Sequence, residues 1–166
     1  MPRNRPGALR ADRTPGPHAR PRTRDVPQPP RIRGLSARTS LAIHHVEYEG
    51  GDRHLFAGAT ALALHRYREF LSSPGRHTLY PRTSVCPGCP GCGLDDVRHA
   101  RDVLDETLRL LPRRPRAELA RTLSALDRRY LDRTLPDPRP HPATSAAPAT
   151  PAPWWHRRLG EGAEGW

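Results

Sequence analysis

Proline placement limits this chain more than any other feature. Eight of its 21 prolines fall within residues 1–34, and seven more lie between residues 136 and 153. Proline fixes φ and lacks a backbone donor, so neither stretch can run as a continuous helix or a paired interior strand. The first stretch also carries too little apolar surface to offset the entropy of ordering it. These facts divide the chain into a disordered basic arm over 1–40, a small helical domain over 41–138, a Pro/Ala/Thr linker over 139–153 and a tryptophan-containing tail over 154–166. A middle segment of about 100 residues is enough for one small hydrophobic core.

The charge is unevenly spread. All 28 basic residues are arginine, against 17 acidic ones, for a net charge of +11. Richness in Arg, Ala, Gly and Pro is the mark of GC-rich coding, so the sign of the charge is more informative than the number of arginines. Residues 1–40 hold ten arginines and two aspartates, whereas the middle segment is nearly balanced. The arm is thus the place for a weak, sequence-independent contact with nucleic acid. With 35% hydrophobic residues and three cysteines, the composition excludes a membrane protein, a collagen and a disulfide scaffold. The longest apolar stretch, Leu55 to Leu64, is too short to cross a bilayer. No apolar segment follows the first arginines as a secretory leader requires, and the expected location is cytoplasmic.

Periodicity predicts a mainly all-α fold. Leu41 to Tyr48 reads as a short strand or the lead-in to a helix, ending at Gly50-Gly51. Asp52 offers an N-cap for a helix to about Ser72, with Leu55, Ala59, Leu62, Ala63, Tyr67 and Phe70 on one side. Arg66 interrupts that face and is expected to snorkel or mark a solvent edge. Asp95 and Asp96 suit the start of a second helix, striped by Val97, Ala100, Leu104, Leu108 and Leu111. After Pro112, a third helix repeats Leu119, Leu123, Leu126 and Tyr130 and stops before Pro136. The last two form an antiparallel hairpin, and the first completes a three-helix core.

The hairpin sequence LPRRPRAELARTLSALDRRYLDRTLPDP, with its linker and WWHRR, resembles small proteins of high-GC actinobacteria that carry no established activity. The likeness covers the C-terminal half and rests on patterning. It implies a source and a fold type rather than a chemistry.

Cys86-Pro-Gly-Cys89-Pro-Gly-Cys92-Gly93 is the one dense chemical signal. Proline stiffens each turn and glycine frees backbone amides to face thiolates, as in a zinc knuckle over residues 86–93. A closed zinc site needs four ligands, so Cys86, Cys89 and Cys92 require a fourth. His77 is the first candidate and His99 the runner-up, although the helical wheel turns His99 away from the apolar stripe. An iron–sulfur cluster would use the same C-x2-C-x2-C start but lacks the usual fourth Cys-Pro. A thiol redox pair could use either C-P-G-C unit, the second of which lies just ahead of a helix.

Arg113, Arg114 and Arg116 cluster at the hairpin link, where they could bind phosphate or stay solvated near helix ends. Trp154 and Trp155, beside Arg157 and Arg158, form an anchor that docks onto a protein partner or back onto the core. The reading that joins these features is a non-enzymatic binding or regulatory adaptor with a structural zinc. A thiol or iron–sulfur redox protein is the alternative.

Overall fold

A computed structural model describes residues 29–50, 55–86, 88–138 and 152–162. Its helices are α1 (Ala37–Gly50), α2 (Ala59–Leu71), the single turn α3 (Pro90–Gly93), α4 (Val97–Leu110) and α5 (Arg113–Arg133). A 3-10 turn follows at Trp154–His156. The fold is mainly α, as the periodicity predicts, and a lone bridge between Pro136 and Arg158 is the one β pairing among the described residues. No described helix is long and apolar enough to cross a membrane.

The core begins earlier than position 41. Ile32 and Leu35 are buried, and Ser36 caps α1 by accepting from the Thr39 N–H at 3.2 Å. The arm expected over 1–40 therefore gives way to packed chain by Ile32, and residues 1–28 lie outside the described set. The segment Leu41–Tyr48 is helical throughout. Its buried face is Thr39, Ser40, Ile43 and Glu47, at helical spacing but largely polar, while Leu41 and Tyr48 are 55% and 87% exposed.

Two carboxylates make that polar face work. Glu47 is buried and accepts from the N–H groups of Gly58 at 2.9 Å and Thr60 at 2.8 Å, satisfying donors at the start of α2. Gly58 holds φ +86, a left-handed conformation that glycine reaches without a Cβ penalty. We expect Glu47→Ala to cost about 3 kcal/mol, because it removes a charge-assisted cap and strands two buried donors. Urea denaturation checks this, with Glu47→Gln, which keeps one acceptor oxygen, falling in between. Glu118 on α5 reciprocates for α1, accepting from Ser36 N at 2.6 Å, Ser36 Oγ at 2.7 Å and Thr39 Oγ1 at 2.5 Å.

The Glu118 contacts carry a pH signature. The Thr39 hydroxyl, then the Ser36 hydroxyl and N–H, hold the Glu118 carboxyl below its ordinary value of 4.5. A carboxyl depressed by folding stabilises fully above its unfolded pKa, and that contribution is lost as pH falls through the lower folded value. The melting temperature of Glu118→Gln should therefore fall less steeply than that of the wild type below about pH 4. Parallel curves would mean that these contacts do not form.

The helix begun by Gly58 starts at Ala59, six residues later than an N-cap at Asp52 would place it, and Asp52 itself lies outside the described residues. Small residues at Ala59, Thr60 and Ala63 let α2 approach α4 closely, where Thr60 Oγ1 meets Thr107 Oγ1 at 3.1 Å. α2 and α4 form the main helix contact, and α1 packs on α5, so the α4–α5 hairpin is held largely through its neighbours. Asp96 caps α4 through the Arg98 N–H at 2.9 Å. The stripes on α4 and α5 bury as patterned, with Leu108 only half-covered.

The tail is part of the core. Trp155 is 8% exposed, its Nε1 donates to Asp102 Oδ1 at 2.8 Å and the Arg101 guanidinium lies 4.4 Å over its ring. Tyr130 donates its hydroxyl to the Trp155 carbonyl at 3.1 Å, and Trp154 stacks edge-on between Tyr130 and Trp155. Arg158 reaches Thr134 Oγ1 at 2.8 Å and Leu131 O at 3.0 Å, while Leu159 N donates to Leu135 O at 2.9 Å. Of the two docking modes open to this anchor, the structure shows the one onto its own chain. The linker from 139 to 151 and the last residues, 163–166, lie outside the described set.

Candidate functional site

The three cysteines stand on a turn between two anchored legs. The incoming leg is pinned where Leu79 N donates to Arg133 O at 2.6 Å and the Pro81 carbonyl accepts from Glu161 N at 3.0 Å. Arg98, paired with Asp96 at 2.8 Å, also reaches Thr83 Oγ1 at 3.2 Å. Asp96 takes Arg98, and the tail takes Asp102. Ser84 then ties the turn together. Its hydroxyl donates to the Cys92 carbonyl at 2.8 Å and lies 3.3 Å from both the Cys86 carbonyl and the Cys86 N–H.

Within the turn, Cys89 is the N-cap of α3, Pro90 is its first residue, and Gly93 N donates to Cys89 O at 2.9 Å. All three thiols are free; Cys86 and Cys89 are exposed and Cys92 is half-covered. The two thiols of the second C-P-G-C unit are driven apart chemically. The Cys92 N–H, the Cys92 thiol and the Gly91 N–H favour the Cys89 thiolate and lower its pKa, outweighing the opposing Asp95 charge. Donating to Cys89 and facing its charge, with Cys86 adding to both effects, pushes Cys92 up to about 11. Cys86 also acts on Cys92, through its charge and a side-chain hydrogen bond.

The two histidines considered as a fourth ligand part company. His77 is exposed and lines a cavity, with its ring against Gly75. His99 lies at the turn: a Cβ built on Gly93 would stand 3.2 Å from its Cδ2, and its Nδ1 is 3.9 Å from Asp102 Oδ2. Among the described residues, no group of three or more His, Cys, Asp or Glu side chains is arranged to hold a metal ion. The Cys89 sulfur faces the N–H groups of Cys92 and Gly91 and the Cys92 thiol.

A cavity of about 480 Å³ opens beside the turn. Tyr80 and Arg82 of the incoming leg and Asp95 and Val97 of the outgoing one line it, with α2 contributing Arg66 and Glu69. Arg66 is not simply a snorkelling edge: it pairs with Asp95 at 2.9 Å and Glu69 at 3.1 Å, and its Nε is buried without a partner. Sequence patterning missed this cavity because its lining comes from loops and from the polar side of α2.

The arginines at the hairpin link divide. Arg113 and Arg114 are exposed, whereas Arg116 donates to the carbonyls of Leu111 at 3.0 Å and Arg109 at 2.9 Å, closing the end of α4. Arg129 does the same for α2 through Leu71 O at 3.0 Å. Arg101 is 6% exposed and grips Asp127 with Nε at 3.0 Å and Nη2 at 3.1 Å, while its Nη1 lies 3.7 Å from Asp105 Oδ1 along its own helix. No protein family, curated protein or solved structure matches the chain.

Proposed function

We propose that this chain is a small helical thiol–disulfide exchange protein, with Cys89 as the attacking thiol and Cys92 as the resolving one. The observation that carries the reading is the Cys89-Pro-Gly-Cys92 turn itself, with Cys89 exposed at its N-cap and both thiols free, and the asymmetry of the pair supports it. Backbone N–H groups at the start of α3 and the Cys92 thiol stabilise the Cys89 thiolate, while Cys92 keeps its proton. In the first step the Cys89 thiolate attacks one sulfur of an incoming disulfide. That S–S bond breaks, and the departing thiolate takes up a proton. Cys92 then loses its proton to solvent and attacks the Cys89 sulfur, expelling the second thiolate. The dithiol gives up two electrons and becomes a Cys89–Cys92 disulfide, and one external disulfide becomes two thiols.

The zinc reading draws on the same cysteines, and Ser84 does gather the carbonyls of Cys86 and Cys92. Exchange is preferred because it needs only two thiols and uses the difference between them, whereas zinc needs four converging donors. It also leaves the tail free to serve as structure instead of a partner anchor.

Short alkylation pulses across pH, with the Thr83–Arg98 peptide mapped by fragmentation, test the assignment. Cys89 should be modified first at pH 7, at least about tenfold faster than Cys92. The thiolate fraction changes tenfold per pKa unit, and the lower nucleophilicity of the more acidic thiol returns about half of that in logarithmic terms. The Cys92 rate should keep rising toward pH 11. Equal rates at all three cysteines would overturn the assignment.

A further inference from the structure

We propose that the cavity beside the cysteine turn binds the exchange partner, and that this partner is a small zwitterionic disulfide of amino-acid or short-peptide character. The inference rests on the thiol-exchange reading and adds a substrate class to it.

The position of the cavity is the first argument. Both legs of the turn form its wall: Tyr80 and Arg82 precede Ser84, and Asp95 follows Gly93. The Ser84 hydroxyl closes the turn onto Cys92 O at 2.8 Å, which ties the leg that lines the cavity to a thiol-bearing residue. Asp95, which lines the cavity, donates its N–H to Cys92 O at 3.0 Å, so the outgoing wall is joined to the turn as well.

The lining supplies the chemistry. Arg66, Arg82 and His77 offer donors for a carboxylate, and Glu69, Asp95 and Glu161 offer acceptors for an ammonium. Both signs within one cavity favour a ligand that carries both, and disfavour a purely anionic or cationic one. Phe70, Leu79 and Val97 provide an apolar surface for the body of the ligand. The volume of about 480 Å³ lies within the range that holds small ligands. Arg66 keeps a donor without a partner, and the Arg82–Glu161 pair, at 3.0 Å, is solvent-exposed on both sides. Exchanging such a surface pair for ligand contacts sacrifices little.

The test compares two disulfides on the full, reduced chain: oxidised glutathione, which is zwitterionic, and hydroxyethyl disulfide, which is uncharged. Each rate is divided by that of the isolated Thr83–Arg98 peptide, which has the thiols but not the cavity. The wild type should favour oxidised glutathione by about tenfold or more, the gain from one or two charge-assisted contacts. Arg82→Ala and Glu69→Gln, both exposed positions, should each reduce that preference, the oxidised glutathione rate falling further than the uncharged one. Redox-inert S-methylglutathione should bind saturably by NMR, shifting Asp95 and Arg66 resonances. A preference ratio equal to one, with both disulfides still reacting faster than in the peptide, would overturn the cavity assignment and leave the exchange reading standing. Failure of both disulfides to exceed the peptide would overturn the exchange reading itself.

Discussion

Trp155→Ala is expected to destabilise the protein by about 3–5 kcal/mol, the range for removing a buried tryptophan. Three losses combine. The ring vacates the space between Arg101 and Trp154, and Asp102 loses the indole donor that holds it at 2.8 Å. Arg101 is then left with less cover above a guanidinium that is 6% exposed. For a domain of this size, the melting temperature should fall by roughly 15 °C or more. Trp155→Phe separates the terms: it keeps most of the apolar contact, gives up the N–H, and should cost about 1–2 kcal/mol. A Trp155→Ala protein melting like the wild type would show that the tail does not sit on α4 and α5.

The tail also shows where sequence patterning ends. The stripes on α4 and α5 were legible because Val97, Ala100, Leu104, Leu119, Leu123 and Tyr130 are apolar residues at apolar positions. Helix α1 was half-legible at best. Its inward positions are Thr39, Ser40 and Glu47, which become buried only because each finds a partner on another element. Hydropathy cannot register a buried carboxylate whose value lies in capping a helix elsewhere. The destination of the tryptophans was hidden for a related reason. Asp102 reads as an exposed helix acid, and its role as acceptor for Trp155 Nε1 and His156 Nε2 arises from a contact across more than fifty residues. The cysteine turn stood out from its spacing alone as the place to look for chemistry. The division of labour between its thiols was not legible, because it depends on which backbone N–H groups face which sulfur.

The second large effect separates those thiols. Cys92→Ser should perform the first half of exchange and stop there. Incubation with a small disulfide should then convert essentially the whole population to a mixed disulfide on Cys89, seen as one stable mass adduct. The wild type should pass through that species without accumulating it. Cys86 is expected to stay out of the reaction, so that no second intramolecular bond resolves the adduct. Cys89→Ser should lower the initial exchange rate at pH 7 at least about tenfold. The N–H groups that favour a thiolate at position 89 then have no sulfur to stabilise. Cys86→Ser should leave both steps intact. A mixed disulfide forming mainly on Cys86 would reverse these roles.

The most direct test of the central claim is a disulfide map of the full chain equilibrated in a thiol–disulfide buffer, with elemental analysis of the same sample. The account predicts a single intramolecular Cys89–Cys92 bond that appears and disappears reversibly with the buffer ratio, Cys86 remaining a free thiol. Three thiols that stay reduced and shielded from alkylation, with one zinc or iron centre per chain, would contradict it and make the cysteine turn a metal site.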